Sequence, residues 1–324
     1  MSVQTTYQNI RRHPLAGPVV RFVAENSAIV ALVAIVVIAT ILAGDNFMSQ
    51  TNIINILRTV SIIGIISLGM TLIIISGGID LSVGSALVLM GAGGIWVLNE
   101  THSIILSLLS TLAGGLIIGA INGTIITRGR VTPFIATLGV MATCRSLALY
   151  LLNGGGISAT VPRYEVISNG DLFGISYPVF YFVIMTALVY VFSQKTPLGR
   201  YIYAVGSNEK ATHLSAINVN RVKVLTYMIG GAMVAGAAII ETSRLNSVSA
   251  ASSGTGYELD AIAAVIIGGT RMSGGKGSVI GTFFGVLILG ILNNMLTLLG
   301  VSPFVTGTVK GIIIIVSVLV QRKE

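Results

Sequence analysis

Cysteine is nearly missing from this chain. Cys144 stands alone among 324 residues, which excludes an intrachain disulfide and any cluster of thiolates around a metal. It reads as a helix-packing residue. Histidine is almost as scarce: His13, His102 and His213 lie far apart and lack the i, i+4 spacing that sets two imidazoles on one helix face, so no metal and no cofactor is expected. Charge is short too, at 9% of residues, beside 53% apolar residues and 39 glycines, a balance that excludes an ordinary water-soluble domain of this length. The sequence belongs in a bilayer, with lipid as a partner. A net charge of +8 would suit a nucleic-acid binder if it were gathered on one face. Here the basic residues are scattered through short loops between apolar runs, and no nucleic-acid partner is expected.

What is present is a series of apolar runs. Crossing a hydrocarbon core takes roughly 20 residues. Candidate spans lie near 27–43, 56–76, 81–98, 104–126, 133–152, 178–193, 223–243, 258–270, 277–299 and 304–320, the eighth short enough to be a broken or partly inserted helix. The first follows a basic leader with Arg11, Arg12 and Arg21 but exceeds the signal-peptide core of about 7 to 15 residues, so it reads as an uncleaved span. The expected fold is all-α and polytopic, about ten helices in a single domain over residues 1–324. Placing residues 1–26 in the cytoplasm puts 14 of the 19 Lys and Arg on inward loops: three before the first span, Arg128 and Arg130, five between 194 and 223, Arg271 and Lys276, and Arg322 and Lys323. Outward loops hold Arg163 and Arg244, an asymmetry that supports both termini inside.

Glycine spacing suggests internal pairing. Gly115, Gly119 and Gly123 repeat the spacing of Gly277, Gly281 and Gly285 on spans of opposite direction, the pattern of an inverted repeat, while Gly77, Gly78, Ser82 and Gly84 match Gly268, Gly269, Ser273 and Gly275 on spans of the same direction. Ser76 to Ser85, SGGIDLSVGS, breaks a span with two glycines. Asp80 or Ser82 then caps the next helix, or the segment forms a pathway element near the inner surface. The stretch GTRMSGGK, Gly269 to Lys276, lacks the glycine spacing and the Ser or Thr after lysine that a phosphate loop needs, and is expected to be a tight turn. The chain itself is therefore not expected to hydrolyse ATP. No nucleophile with a neighbouring base suggests an enzyme either.

The hydrophilic run Gln194 to Lys223 is expected to carry one helix, near Ser207 to Ile217, capped by Asn208 and opened by Glu209 at its positive end. Ala211, Leu214 and Ala216 or Ile217 give it a small apolar face. Such a helix is either a surface connector or a docking element for a groove. Charged groups at span edges have two readings. Glu241 and Glu258 are expected to stay wet near outer ends and Arg145 and Lys310 to snorkel, with Lys310 pairing either Glu258 or Asp260.

GMTLIIISGGIDLSVGS at Gly69 to Ser85, LGRYIYAVGSNEKATHLSAINVN at Leu198 to Asn220, GTGYELDAIAAVIIGGTRMSGGKGSVIGT at Gly254 to Thr282 and LILGILNNMLTLLGVS at Leu287 to Ser302 resemble the inner-membrane permeases of bacterial ABC-type carbohydrate importers, most closely the ribose permeases. The resemblance covers almost the whole chain. It implies a multi-pass subunit of the bacterial inner membrane, paired with a second permease subunit as a homodimer. A cytosolic ABC ATPase pair and a periplasmic sugar-binding protein complete the assembly. The family's coupling helix corresponds to Gly206 to Ile217, so Gly206, Ser207, Asn208, Glu209, Ala211, Leu214 and Ile217 are the expected ATPase-coupling residues. The expected cargo is a monosaccharide, ribose first, with other sugars or autoinducer-2 as alternatives. Hydroxyl-rich cargo needs uncharged donors and acceptors, which makes Ser82, Asn122, Asn293 and Asn294 candidate pathway residues, unless those amides bond across helices in packing. An ion-coupled secondary transporter is the rival reading, with Asp80 as its carboxylate.

Overall fold

The computed structural model describes residues 27–302, 305–312 and 315, and about three quarters of them are helical. The principal helices are α1 (Ser27–Ala43), α2 (Asp45–Met48), α3 (Gln50–Ile75), α4 (Val83–Thr101), α5 (Ile104–Thr127), α6 (Pro133–Leu151) and α7 (Val166–Asn169). They continue with α8 (Tyr177–Lys195), α9 (Pro197–Ser207), α10 (Glu209–Leu214), α11 (Val219–Leu245), α12 (Tyr257–Ile267) and α13 (Val279–Leu298). Residues 305–312 are helical as well. The leader 1–26, most of the tenth expected span, and Arg322 and Lys323 lie outside the described residues.

Among the described residues seven helices, α3, α4, α5, α6, α8, α11 and α13, are long and apolar enough to cross a membrane. The first apolar helix is shorter, and α12 has 11 residues, roughly 16 Å at 1.5 Å per residue, about half of a hydrocarbon core. Two antiparallel pairs, β1 (Gly156–Ser158) with β4 (Ser247–Ser249) and β2 (Asp171–Leu172) with β3 (Ile175–Ser176), are the strand structure among the described residues.

The centre of the bundle is α3. Its run from Val60 to Ile75 is buried on every side, as expected of a helix that is apolar all round. Around it pack α8, α11, α12 and α13, while α5, α6 and α8 turn apolar side chains such as Ile117, Ile135 and Leu188 outward, the face a lipid-exposed helix presents. Close approach is bought by small residues. A Cβ on Gly115, Gly119 or Gly123 of α5 would run into the backbone of α11 at Gly231, Tyr227 and Val224, and Gly281 and Gly285 of α13 meet Gly268, just past α12, and Ala264 within it in the same way.

The second glycine echo is one local motif used twice, shifted by one residue from the sequence match. At the end of α3 the Gly77 amide donates to Ile74 O and the Gly78 amide to Ile73 O, both at 2.9 Å; at the end of α12 the Gly269 amide donates to Ile266 O at 2.9 Å and the Thr270 amide to Val265 O at 3.2 Å. Gly77 and Gly269 take φ of 84° and 85°, the left-handed C-terminal stop that glycine adopts without a Cβ clash. These two stops meet at one end of the bundle. There the Gly275 amide donates to Ile75 O at 2.9 Å, and α9 closes over both.

Candidate functional site

Three features carry the chemistry, and the first is the surface at the α9 end. The run expected to hold one helix holds two. Thr196 Oγ1 caps α9 by accepting from the Gly199 amide at 3.0 Å, Pro197 occupies its first turn, and Ile202 and Val205 bury against the bundle. Asn208 breaks the chain in an extended conformation and caps α10, its Oδ1 accepting from the Ala211 amide at 2.9 Å. The expected helix to Ile217 therefore stops at Leu214, because Ala216 turns left-handed at φ 60°, and Ile217 lies in the link to α11. Leu214 is 85% exposed on the outer side of α10, with Ala211 and Ala216 exposed near it. Glu209, Lys210, His213, Leu214, Ile217 and Asn218 line an open hollow of about 990 Å³, and Glu209 reaches Lys223 at 2.7 Å.

Gly206 is half-buried and Ser207 exposed. They form the tail of α9, which is wedged on the two glycine stops: a Cβ on Gly206 would overlap Ile75 O and stand 2.6 Å from the Gly275 amide, and Ser207 backs onto Gly275. Tyr203 Oη adds a bond to Gly277 O at 3.2 Å. A push on α9 therefore bears directly on the backbone that ends α3 and on the turn that precedes α13.

The second feature is a closed polar cluster in the linker Ser76–Ser82 between α3 and α4. Asp80 Oδ1 accepts from the Ser82 amide at 2.8 Å and from Ser82 Oγ at 2.6 Å, so the carboxyl holds the cap residue itself and Ser82 makes no side-chain cap to α4. Asn122 of α5 donates to Ser82 Oγ at 2.9 Å and faces Asp80 at 3.4 Å. Ile79 O accepts from Tyr227 of α11 at 3.1 Å and from Thr137 of α6. Burial pushes the Asp80 carboxyl above the usual carboxylate range, against the lowering pull of Ser82 and Asn122. Asp80 is 4% exposed and Asn122 fully buried, so the expected pathway residues Ser82 and Asn122 are neighbours in a buried latch. Tyr227 and Thr137 were missed by sequence reasoning; nothing in their surroundings on the chain sets them apart from other span residues.

The third feature lies at the opposite end, a cavity of about 250 Å³ between the start of α3, the start of α12 and the end of α13. Asn293 and Asn294 both line it. Asn294 exchanges amide bonds with Asn52 at 3.0 and 2.7 Å, a packing contact between α13 and α3, whereas Asn293 keeps a buried Oδ1 with no hydrogen-bond partner among the described residues. Asp260 lines the same cavity and is the partner of Lys310, at 2.8 Å.

Two edge charges differ from expectation. Glu241 is 2% exposed, not wet, because the segment from Ser247 to Tyr257 folds over the end of α11 and sets Ser253 and Tyr257 beside it. Arg145 does not snorkel freely; its guanidinium donates to Ala250 O at 2.8 Å and Ser253 O at 3.0 Å and so ties that segment down. Cys144 next to it is a buried thiol in the helix packing, as expected.

Comparison with known proteins gives a consistent picture. Residues 52–318 match the family described as branched-chain amino acid transport system / permease component. The chain is 42% identical to the ribose import permease protein of Escherichia coli K12 over 93% of this chain and 94% of that one. It is 44% identical to that of Bacillus subtilis, over 90% and 91%. The L-arabinose ABC transporter permease protein of Azospirillum brasilense is 30% identical over 92% and 88%. No solved structure matches.

Proposed function

The chain belongs to the branched-chain amino acid transport system / permease component family, and from that premise we propose that it is the membrane-spanning, non-catalytic permease subunit of an ATP-driven importer that carries ribose into a bacterial cytoplasm. ATP hydrolysis belongs to a separate cytosolic ABC ATPase, and a periplasmic binding protein delivers the sugar. Two permease copies stand side by side in the inner membrane, with both termini and the 194–223 loop in the cytoplasm.

The observation that carries the reading is the α10 surface. A six-residue helix with an 85% exposed leucine, capped and seated beside a second helix that wedges two glycine stops, is built to receive force from a soluble partner. Glu209, Ala211, Leu214 and Ile217 meet the ATPase, Asn208 holds α10 in shape, and Gly206 and Ser207 pass the motion inward. Ser82 and Asn122 then act at the cytoplasmic end of the path, released from their latch with Asp80 when the stops move, and Asn293 and Asn294 act at the periplasmic end.

The family description names branched-chain amino acids, whereas the relatives above name sugars. The polar groups that line the cavity favour the sugar, since they are amides and hydroxyls and the one acid among them already has its lysine. The test is ATP hydrolysis by the complete purified complex with its binding protein. Ribose should stimulate it several-fold and leucine should not. Uptake that persists in cells lacking the ATPase and vanishes with a protonophore would overturn the reading in favour of an ion-coupled transporter with Asp80 as its carboxylate.

A further inference from the structure

The cavity between α3, α12 and α13 has a composition unusual for helices at a membrane boundary. Asn55 and Thr59 stand one turn apart on α3, Asn293 and Thr297 one turn apart on α13, and Tyr257 closes the side from α12. The floor is apolar, formed by Val60, Ile63, Val286 and Leu289. Asn55, Thr59 and Thr297 are exposed. Amides and hydroxyls turned toward hydrocarbon are costly, so this face is met by water, cargo or protein and not by lipid.

We propose that this cavity is a sugar subsite on the transport path, in which a neutral monosaccharide is held by Asn55, Thr59, Asn293 and Thr297 while its C–H face rests on Val60, Ile63 and Leu289. The proposal rests on the permease reading and adds the place and the residues. Three observations support it. The volume, about 250 Å³, falls just below the range of drug-sized ligand sites and suits a single small ring. Asn293 supplies a buried acceptor left unmet among the described residues, the group a ligand hydroxyl satisfies. The lining is also electrically balanced, because Lys310 holds Asp260 at 2.8 Å, so neither a sugar phosphate nor an amino acid zwitterion finds an open counter-charge among these groups.

The test uses the assembled complex of permease, ATPase and binding protein in proteoliposomes, with labelled ribose. Asn293→Leu and Asn55→Leu should each slow uptake by about tenfold, the scale of one lost hydrogen bond to cargo, while the ATPase still co-purifies. Asn293→Ser, which keeps a hydroxyl, should retain more uptake than Asn293→Leu. Because Asn55 is exposed, Asn55→Cys in a Cys144→Ser background probes the site without disturbing the core: a bulky maleimide there should block uptake and leave assembly intact. Full uptake by the labelled complex, or by both leucine variants, overturns the subsite and leaves the permease reading standing. A wild-type complex that carries no ribose overturns the permease reading and the subsite with it.

Discussion

Lys310 and Asp260 show how much a single pairing can settle. Sequence position left Lys310 with two acids, Glu258 and Asp260, that point to different faces of one helix; the bundle turns Asp260 to the lysine at 2.8 Å and leaves Glu258 against Gly84 of α4. The other ion pair among the described residues, Glu209 with Lys223, has its carboxylate more than half exposed, and exposed pairs contribute about 0 to 1 kcal/mol. The Lys310 pair is mostly enclosed. Removing one partner of a fully buried pair costs about 3 to 5 kcal/mol, because the remaining charge is stranded, and this pair should approach the lower bound. Lys310→Met is therefore expected to cut the yield of folded protein in detergent severalfold. Exchanging the two residues, Asp260→Lys with Lys310→Asp, should recover most of it, and the same exchange with Glu258 should not. Recovery with Glu258 would show that the pairing is misassigned.

At the scale of elements, α9 and α10 divide one task. Leu214 is almost fully exposed, so Leu214→Glu should leave membrane insertion and thermal stability unchanged while the ATPase no longer co-purifies. Gly206→Ala should act the other way. The ATPase still binds, but the new methyl group meets backbone atoms that cannot rotate aside, α9 lifts from the glycine stops at a cost of about 1 to 3 kcal/mol, and sugar-stimulated hydrolysis falls. If both variants fail at the same step, docking and transmission are not separate. Half of this arrangement was legible on the chain. Asn208 and Glu209 announce α10, since a cap followed by an acid is a local signal. The signals for α9 were equally local, Thr196 before Pro197 and then Leu198, Ile202 and Val205 at helical spacing, but they are masked by the polar residues between them. Its wedge could not be read at all, because Ile75, Gly206 and Gly275 meet only in three dimensions.

For the molecule as a whole, apolar run length located the long helices, since bilayer thickness sets both, with the largest error at the start of α3, expected near 56 and found at Gln50. The sugar subsite was half visible: Asn293 stood out as a polar residue in an apolar helix, while Asn55 and Thr59 look like an ordinary helix start until α13 packs beside them. Orientation rests on charge alone. Arg128, Arg130, Arg200, Lys210 and Arg271 belong to links and short helices at the α9 end, and this is the side that the positive-inside asymmetry assigns to the cytoplasm. The opposite end carries the hairpin tip Phe173, which is 92% exposed. Leu214 and Phe173 are thus matched in accessibility and differ only in the side they occupy. In a Cys144→Ser background, Leu214→Cys and Phe173→Cys should react alike with a maleimide once the membrane is permeabilised. In intact spheroplasts treated with a membrane-impermeant maleimide, Phe173→Cys should label to completion and Leu214→Cys should label only after permeabilisation. Labelling of Leu214→Cys in sealed cells would put the docking surface on the wrong side for any cytosolic motor, and the import mechanism built on it would fail.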